Sequence, residues 1–238
     1  MERIKIILAI LPIFILALYV YVHDKEKEPT RLLLLSFIFG ILISIPTLYV
    51  EMVITKNLDF LQHSYITSFI YVFIGIALIE EGYKFLVTYT VLYPNKNVNY
   101  TFDMIVYCTF VGLGFAFFEN LLYLNTISIS SLILRGFTAV PIHLSCGIIM
   151  GYYLSIVKSE KKDKKKNFIK SIIYPTLIHT IYNYYLVYIS NLIKKLFSFN
   201  TATIITYSLL VLLLGSLFLY VHYILYKSSE EDKKIKGL

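Results

Sequence analysis

Glu80, Glu81 and Lys84 stand within five positions of one another, in Leu78-Ile79-Glu80-Glu81-Gly82-Tyr83-Lys84. The surrounding run, about 65–93, is otherwise apolar enough to cross a bilayer. Moving a charge into hydrocarbon costs at least about 2.5–3.5 kcal/mol per residue, so these groups must face protein or water and must have partners. On a helix, successive residues turn by about 100°, which places Glu80 and Lys84 on one face at i,i+4 and Glu81 beside them at i,i+3. Lys84 can hold one carboxylate ionised and leave the other for proton transfer. The same three groups also suit an ion pair that fastens two membrane helices, and this segment alone does not choose between the two.

Further polar residues sit in three other apolar segments. Glu119 and Asn120 close Gly112-Leu-Gly-Phe115-Ala-Phe-Phe-Glu119-Asn120, His143 follows Pro141 and precedes Ser145-Cys146-Gly147, and His179 lies four residues before Asn183. If these segments are helices, their polar faces can converge on one point. Two imidazoles and a carboxylate, with a carboxylate pair nearby, supply three N/O ligands, an open position and a base, as in a catalytic zinc site. Asn183, one turn after His179, can orient a ligand, substrate or water from the same face, and Asn120 can do so beside Glu119. Other chemistries use the same residue types. A histidine in a membrane helix serves as an interhelical hydrogen-bond partner, and Glu119 suits a proton relay or the cation site of a transporter or channel. Cys146, three residues after His143, permits a Cys–His nucleophile. Asp103 and Arg135 read as structural or interfacial, His222 in the seventh span as an interhelical hydrogen-bond partner, and His23 and His63 as loop residues with no evident role.

The elements that must position these groups are membrane spans. The chain of 238 residues is 58% hydrophobic, with a mean hydropathy of +0.70, against about 45–50% apolar for a soluble domain. Seven spans emerge, at 4–22, 32–54, 65–93, 102–125, 131–156, 168–192 and 202–226, each near the ~20 residues a bilayer requires. The fold class is therefore all-α, a polytopic bundle of about seven transmembrane helices forming one domain over 1–238. The first span reads as a retained helix, since it ends in Tyr-Val-Tyr-Val-His-Asp with no small-residue cleavage site. Basic residues divide 15 to 6 between the two sides. The richer side holds the loops 23–31 and 94–101, the basic loop 158–167 and the tail 227–238, and is expected to be cytoplasmic, with the N-terminus outside. The net charge of +7 comes mostly from lysines beyond the spans. It reports orientation and anionic lipid rather than nucleic acid. Cys108 and Cys146 both lie in apolar segments, so no disulfide framework is indicated.

Taken with their order, these motifs resemble the PrsW family of intramembrane proteases. That family's EExxK element is met by Glu80-Glu81-Gly-Tyr-Lys84, its FxxxEN element by Phe115-Ala-Phe-Phe-Glu119-Asn120, and its HxxxD element by His179-Thr-Ile-Tyr-Asn183, with Asn in place of Asp. His143 through Gly151-Tyr152, and Glu28-Pro29 with Phe37 and Gly40, are also family-like, so the resemblance covers about 20–190. The Asn183 departure tilts toward the related CAAX-protease and bacteriocin-immunity group, whose other motifs fit less well. The resemblance implies a membrane-embedded endopeptidase of the bacterial cell membrane, with zinc held by Glu119, His143 and His179. Glu80 would be the base, Glu81 its partner, and Lys84 would hold a carboxylate charged or stabilise an oxyanion. A metal-independent version has a glutamate activate water while the histidines form the oxyanion hole. The implied substrate is a single-span membrane anti-sigma factor, cut first outside the membrane to begin release of an extracytoplasmic-function sigma factor.

Overall fold

The computed structural model describes residues 2–159 and 163–236, with side chains from 3 to 235. Glu160, Lys161 and Lys162 of the basic loop, and the last two residues of the tail, lie outside the described residues. Among those described there are helices and turns and no strand.

Seven helical rods follow one another: α1 (Glu2–His23), α2 (Thr30–Asn57), α3 (65–92), α4 (Thr101–Tyr123), α5 (Ile129–Ser159), α6 (164–196) and α7 (Phe199–Lys236). Five of them, α1, α2, α4, α5 and α7, are long and apolar enough to cross a membrane. The other two, which carry Glu80, Glu81, Lys84 and His179, are interrupted by π turns. In α3, π turns at Phe73–Ala77 and Thr88–Leu92 bracket the α-helical segment Leu78–Val87, and in α6 a π turn spans Tyr185–Ile189. Such bulges rotate a helix face locally and recur at functional sites. The expected single fifth span is broken at Thr138 (φ −126°, ψ −66°) into Ile129–Phe137 and Ala139–Ser159. Pro141 falls in the first turn of the second piece, where its missing N–H leaves no bond unmade. The Thr138 hydroxyl donates to the Leu134 carbonyl at 2.8 Å and meets the Tyr182 hydroxyl at 2.8 Å.

The central pair is α4 and α5, with α2 packed on α4 and α6 on α5. Side chains are absent where backbones meet. A Cβ on Gly112 would come within 2.8 Å of the His143 carbonyl oxygen, and one on Gly114 would overlap the Phe37 carbonyl. Only glycine admits both approaches, and the first sets the depth of His143 in the bundle.

The two ends of the bundle differ. At the lysine-rich end, Asp24 and Glu28 of the loop 24–29 are buried together with Asp103 and Asp232. Asp232 of α7 accepts from the backbone N–H of Thr101 (3.1 Å) and Phe102 (2.8 Å), and Asp103 from Asn99 (2.8 Å) and Tyr100 (2.7 Å). These are the donors that a helix start leaves unpaired. Glu28 accepts from the Tyr107 hydroxyl. Burial pushes the Asp24 carboxyl up to about 6 and that of Glu28 up to about 8. The predicted tail continues α7 to Lys236, and the predicted loop passes into α6 at Lys164 after Asp163 in the left-handed region (φ 57°). His222 is the interhelical hydrogen-bond partner that the sequence suggests: its Nδ1 meets the Tyr19 hydroxyl at 2.7 Å, tying α7 to α1. At the opposite end, Lys5 donates to the Leu124 carbonyl at 2.9 Å.

Candidate active site

The segment between the two π turns of α3 turns Glu80, Glu81 and Lys84 inward, and all three are buried. Lys84 Nζ lies 2.8 Å from Glu81 Oε1, 3.2 Å from Glu80 Oε2 and 2.9 Å from His143 Nδ1. The ammonium also sits 4.1 Å from the centroid of the Phe115 ring, an apolar and weakly attractive wall. His179 arrives from α6, with Nδ1 at 3.0 Å from Glu81 Oε1 and 3.8 Å from Glu80 Oε2. The two imidazole rings meet edge to face with centroids 5.1 Å apart. Four helices thus bring their polar residues to one place, since α4 adds Glu119, whose Oε2 is 2.9 Å from His143 Nε2.

The hydrogen bonds define the state of His143. A charged ammonium can only donate, so Nδ1 accepts from Lys84 and Nε2 carries the proton given to Glu119. The imidazole is thereby aimed by the carboxylate behind it, and its lone pair faces the glutamate pair. Glu119 is held in turn by Arg135, whose guanidinium lies 3.0 Å from Glu119 Oε2, donates through Nε to Asn120 Oδ1 at 3.0 Å and packs over Tyr123. Asn120 donates to the Ala9 carbonyl of α1 at 3.0 Å. That amide supports Arg135 instead of facing the cavity.

Glu80, Glu81, His143 and His179 each offer a donor atom within 4.8 Å of the others, and all four are buried. Glu81 Oε2 is buried without a hydrogen-bond partner among the described residues. Two imidazoles and two carboxylates form an N/O donor set that suits a divalent ion of the zinc type, and an orphaned carboxylate oxygen is what such an ion would satisfy. The residues fit a metal, on one condition: the single lone pair of His143 Nδ1 must pass from the ammonium of Lys84 to the ion, which would then share only Glu80 and Glu81 with that ammonium.

A cavity of about 600 Å³ opens onto this cluster, with Glu80, Glu119, Arg135 and Asn183 in its wall. Asn183 is thus placed beside the glutamates. Cys146 gives its thiol to the Pro175 carbonyl at 3.4 Å, an interhelical bond in place of a pairing with His143. Two cavity residues escaped the sequence reading. Arg135 reads as structural or interfacial because it lies near the end of its span. Glu51 lies near the end of the second span, where a lone intramembrane acid was itself the available signal.

Comparison with known proteins agrees with this geometry. The family described as "PrsW family intramembrane metalloprotease" matches residues 28–215. This chain belongs to that family. The PrsW relatives include "Protease PrsW" of Oceanobacillus iheyensis, 38% identical over 74% of this chain and 80% of the relative. They also include "Protease PrsW" of Bacillus subtilis, 31% identical over 76% and 82%. No solved structure matches the chain. As a PrsW family member with this bundle, the chain is a multi-pass membrane peptidase, and the metalloprotease character of the family accords with the buried N/O cluster.

Proposed function

We propose that this site cuts a peptide bond of a single-span membrane protein, with Glu80 as the base. The observation that carries the assignment is the difference between the paired glutamates: Glu80 lines the cavity, whereas Glu81 is completely buried behind it. Glu81, His143 and His179 are the proposed holders of the ion, for which zinc is the reading. Glu119, placed among the ligands by the sequence, is assigned one bond further out, because its carboxylate is engaged by His143 and Arg135. A divalent ion there supplies Lewis acidity toward a carbonyl oxygen. Glu80 takes the proton of an attacking water and returns it to the leaving amine. Lys84 sets a positive charge 3.2 Å from Glu80 and 2.8 Å from Glu81, a counter-charge for both carboxylates in an apolar setting. His143 is aimed by Glu119, and Asn183 orients substrate or water from the cavity wall.

The proposed substrate is an anti-sigma factor, whose cleavage begins the release of an extracytoplasmic-function sigma factor under stress. The family resemblance supports this choice, and so does the side on which the cavity lies. Its wall reaches Gln62 and Tyr188, at the end of the bundle opposite the lysine-rich one. By the 15-to-6 distribution of basic residues, that end is proposed to face outside a bacterial cell membrane, with the C-terminus in the cytoplasm. Co-expression with a candidate single-span anti-sigma factor tests the reading. Wild type is expected to process it and Glu119→Gln, verified for expression and insertion, to fail. Equal processing by both would remove Glu119 from the mechanism, and activity that survives chelation would favour the metal-independent version.

A further inference from the structure

The cavity that reaches Glu80 continues outward. A second cavity of about 380 Å³ is lined by residues that include His63, Ser68, Asn191 and Lys195, and it shares Gln62, Val187 and Tyr188 with the first. The Tyr188 hydroxyl donates to Gln62 Oε1 at 3.1 Å, so a single hydrogen bond partitions one continuous groove. The two halves differ in character. The inner one sets Leu48, Met52, Val72 and Ile76 beside polar groups such as Glu51, Thr55 and Asn183, and it ends on Glu80 and Glu119. The outer one presents hydroxyls, amides and an ammonium. Within it the Ser68 hydroxyl is buried without a partner among the described residues. Lys195 is exposed and in no ion pair among those residues. The nearby Asp59 already accepts from Gln62 Nε2 at 2.6 Å.

We propose that the outer cavity is a docking subsite for the stretch of substrate that leaves the scissile bond toward this end of the bundle. It selects an acidic side chain there through Lys195. The inference rests on the inner cavity being the peptide-cutting site. An extended chain running through both halves would lay apolar residues against α2 and α3, then exchange its amides with Gln62 and Asn191 as it reaches the polar rim. An acidic residue at the rim pairs with Lys195, which no acidic group among the described residues neutralises, and a basic one meets repulsion.

The test uses the full chain in proteoliposomes and a single-span polypeptide that it cleaves. Asp or Lys is placed in turn at each position on the outer side of the cut. At one or two adjacent positions Asp is expected to give a KM about tenfold lower than Lys, with kcat unchanged. Lys195→Glu is expected to invert that preference at the same positions. An inverted preference requires a folded, active enzyme, so misfolding cannot imitate it. Absence of any positional charge preference, or a preference that Lys195→Glu leaves as it was, overturns the subsite while the proteolytic reading stands. Failure of the wild type to cut any such polypeptide would bring down both.

Discussion

Two regions of this molecule bury several carboxylates, and they do so by opposite means. At the lysine-rich end, Asp103 and Asp232 are satisfied by backbone N–H groups at the start of α4, and Glu28 by a tyrosine hydroxyl. Midway along α3, Glu80 and Glu81 are satisfied by an ammonium and an imidazole, and a cavity reaches one of them. The first arrangement joins α1, α2, α4 and α7 through backbone N–H and hydroxyl donors, with Asp24 Oδ2 and Asp103 Oδ1 left without a hydrogen-bond partner among the described residues. The second keeps charge, leaves Glu81 Oε2 without a partner and gives access to solvent-sized molecules. Burial of acids is therefore no sign of chemistry by itself. Access and a matching cation together mark the difference, since both regions leave a carboxylate oxygen uncommitted.

That contrast can be broken in several places. The largest effect is expected for Glu80→Gln, which keeps shape and hydrogen bonding but cannot take a proton. Peptide cleavage should fall by about a thousandfold or more, within the range lost when a reaction's base is removed, at unchanged expression and melting behaviour. Retained cleavage would place the base elsewhere. Next comes Lys84→Met, which strands two buried carboxylates. It should cost about 3–5 kcal/mol of stability, in the manner of a buried ion pair deprived of one partner. Adding Glu81→Gln to it should restore part of the Tm without restoring cleavage. Recovery of both would mean that the cluster is purely structural.

Smaller effects belong to the other region. Asp232→Ala removes a cap from α4 and should cost about 0.5–2 kcal/mol, read as a lower Tm in detergent, with cleavage retained. Loss of cleavage at unchanged Tm would link the two regions in function. The last is a pH effect. Because burial pushes Glu28 up to about 8, its neutral form is the one favoured in the fold. The stability it contributes is complete below the ordinary carboxyl range and is lost as pH rises through about 8. Glu28→Gln should flatten that part of the Tm–pH curve, and an unaltered slope would contradict the assignment.

Legibility in the sequence follows energetic cost. Glu80, Glu81, Lys84, His143 and His179 could be picked out because each is expensive in an apolar run, and the structure gathers them within hydrogen-bonding reach of one another. The rods were legible for the same reason. Features that cost little were not. The π turns of α3 and the break at Thr138 leave the apolar pattern of their segments intact, so 131–156 reads as one uninterrupted span. Residues beyond Tyr226 read as a charged tail. They stay helical because Lys227 pairs with Glu231 at 3.7 Å and Lys233 with Glu230 at 3.8 Å, and because Asp232 is anchored at α4. Glu119 looked like a ligand from its type and spacing alone. Only side-chain geometry shows His143 and Arg135 already holding it.

X-ray absorption at the metal edge of the purified, zinc-loaded full-length protein probes the proposed centre without recourse to activity. The account predicts one ion per chain in a shell of nitrogen and oxygen only, with the outer scattering of two imidazoles, falling to one in His179→Ala. Sulfur in the shell, a single imidazole in the wild type, or no stoichiometric ion would contradict a centre built from Glu81, His143 and His179.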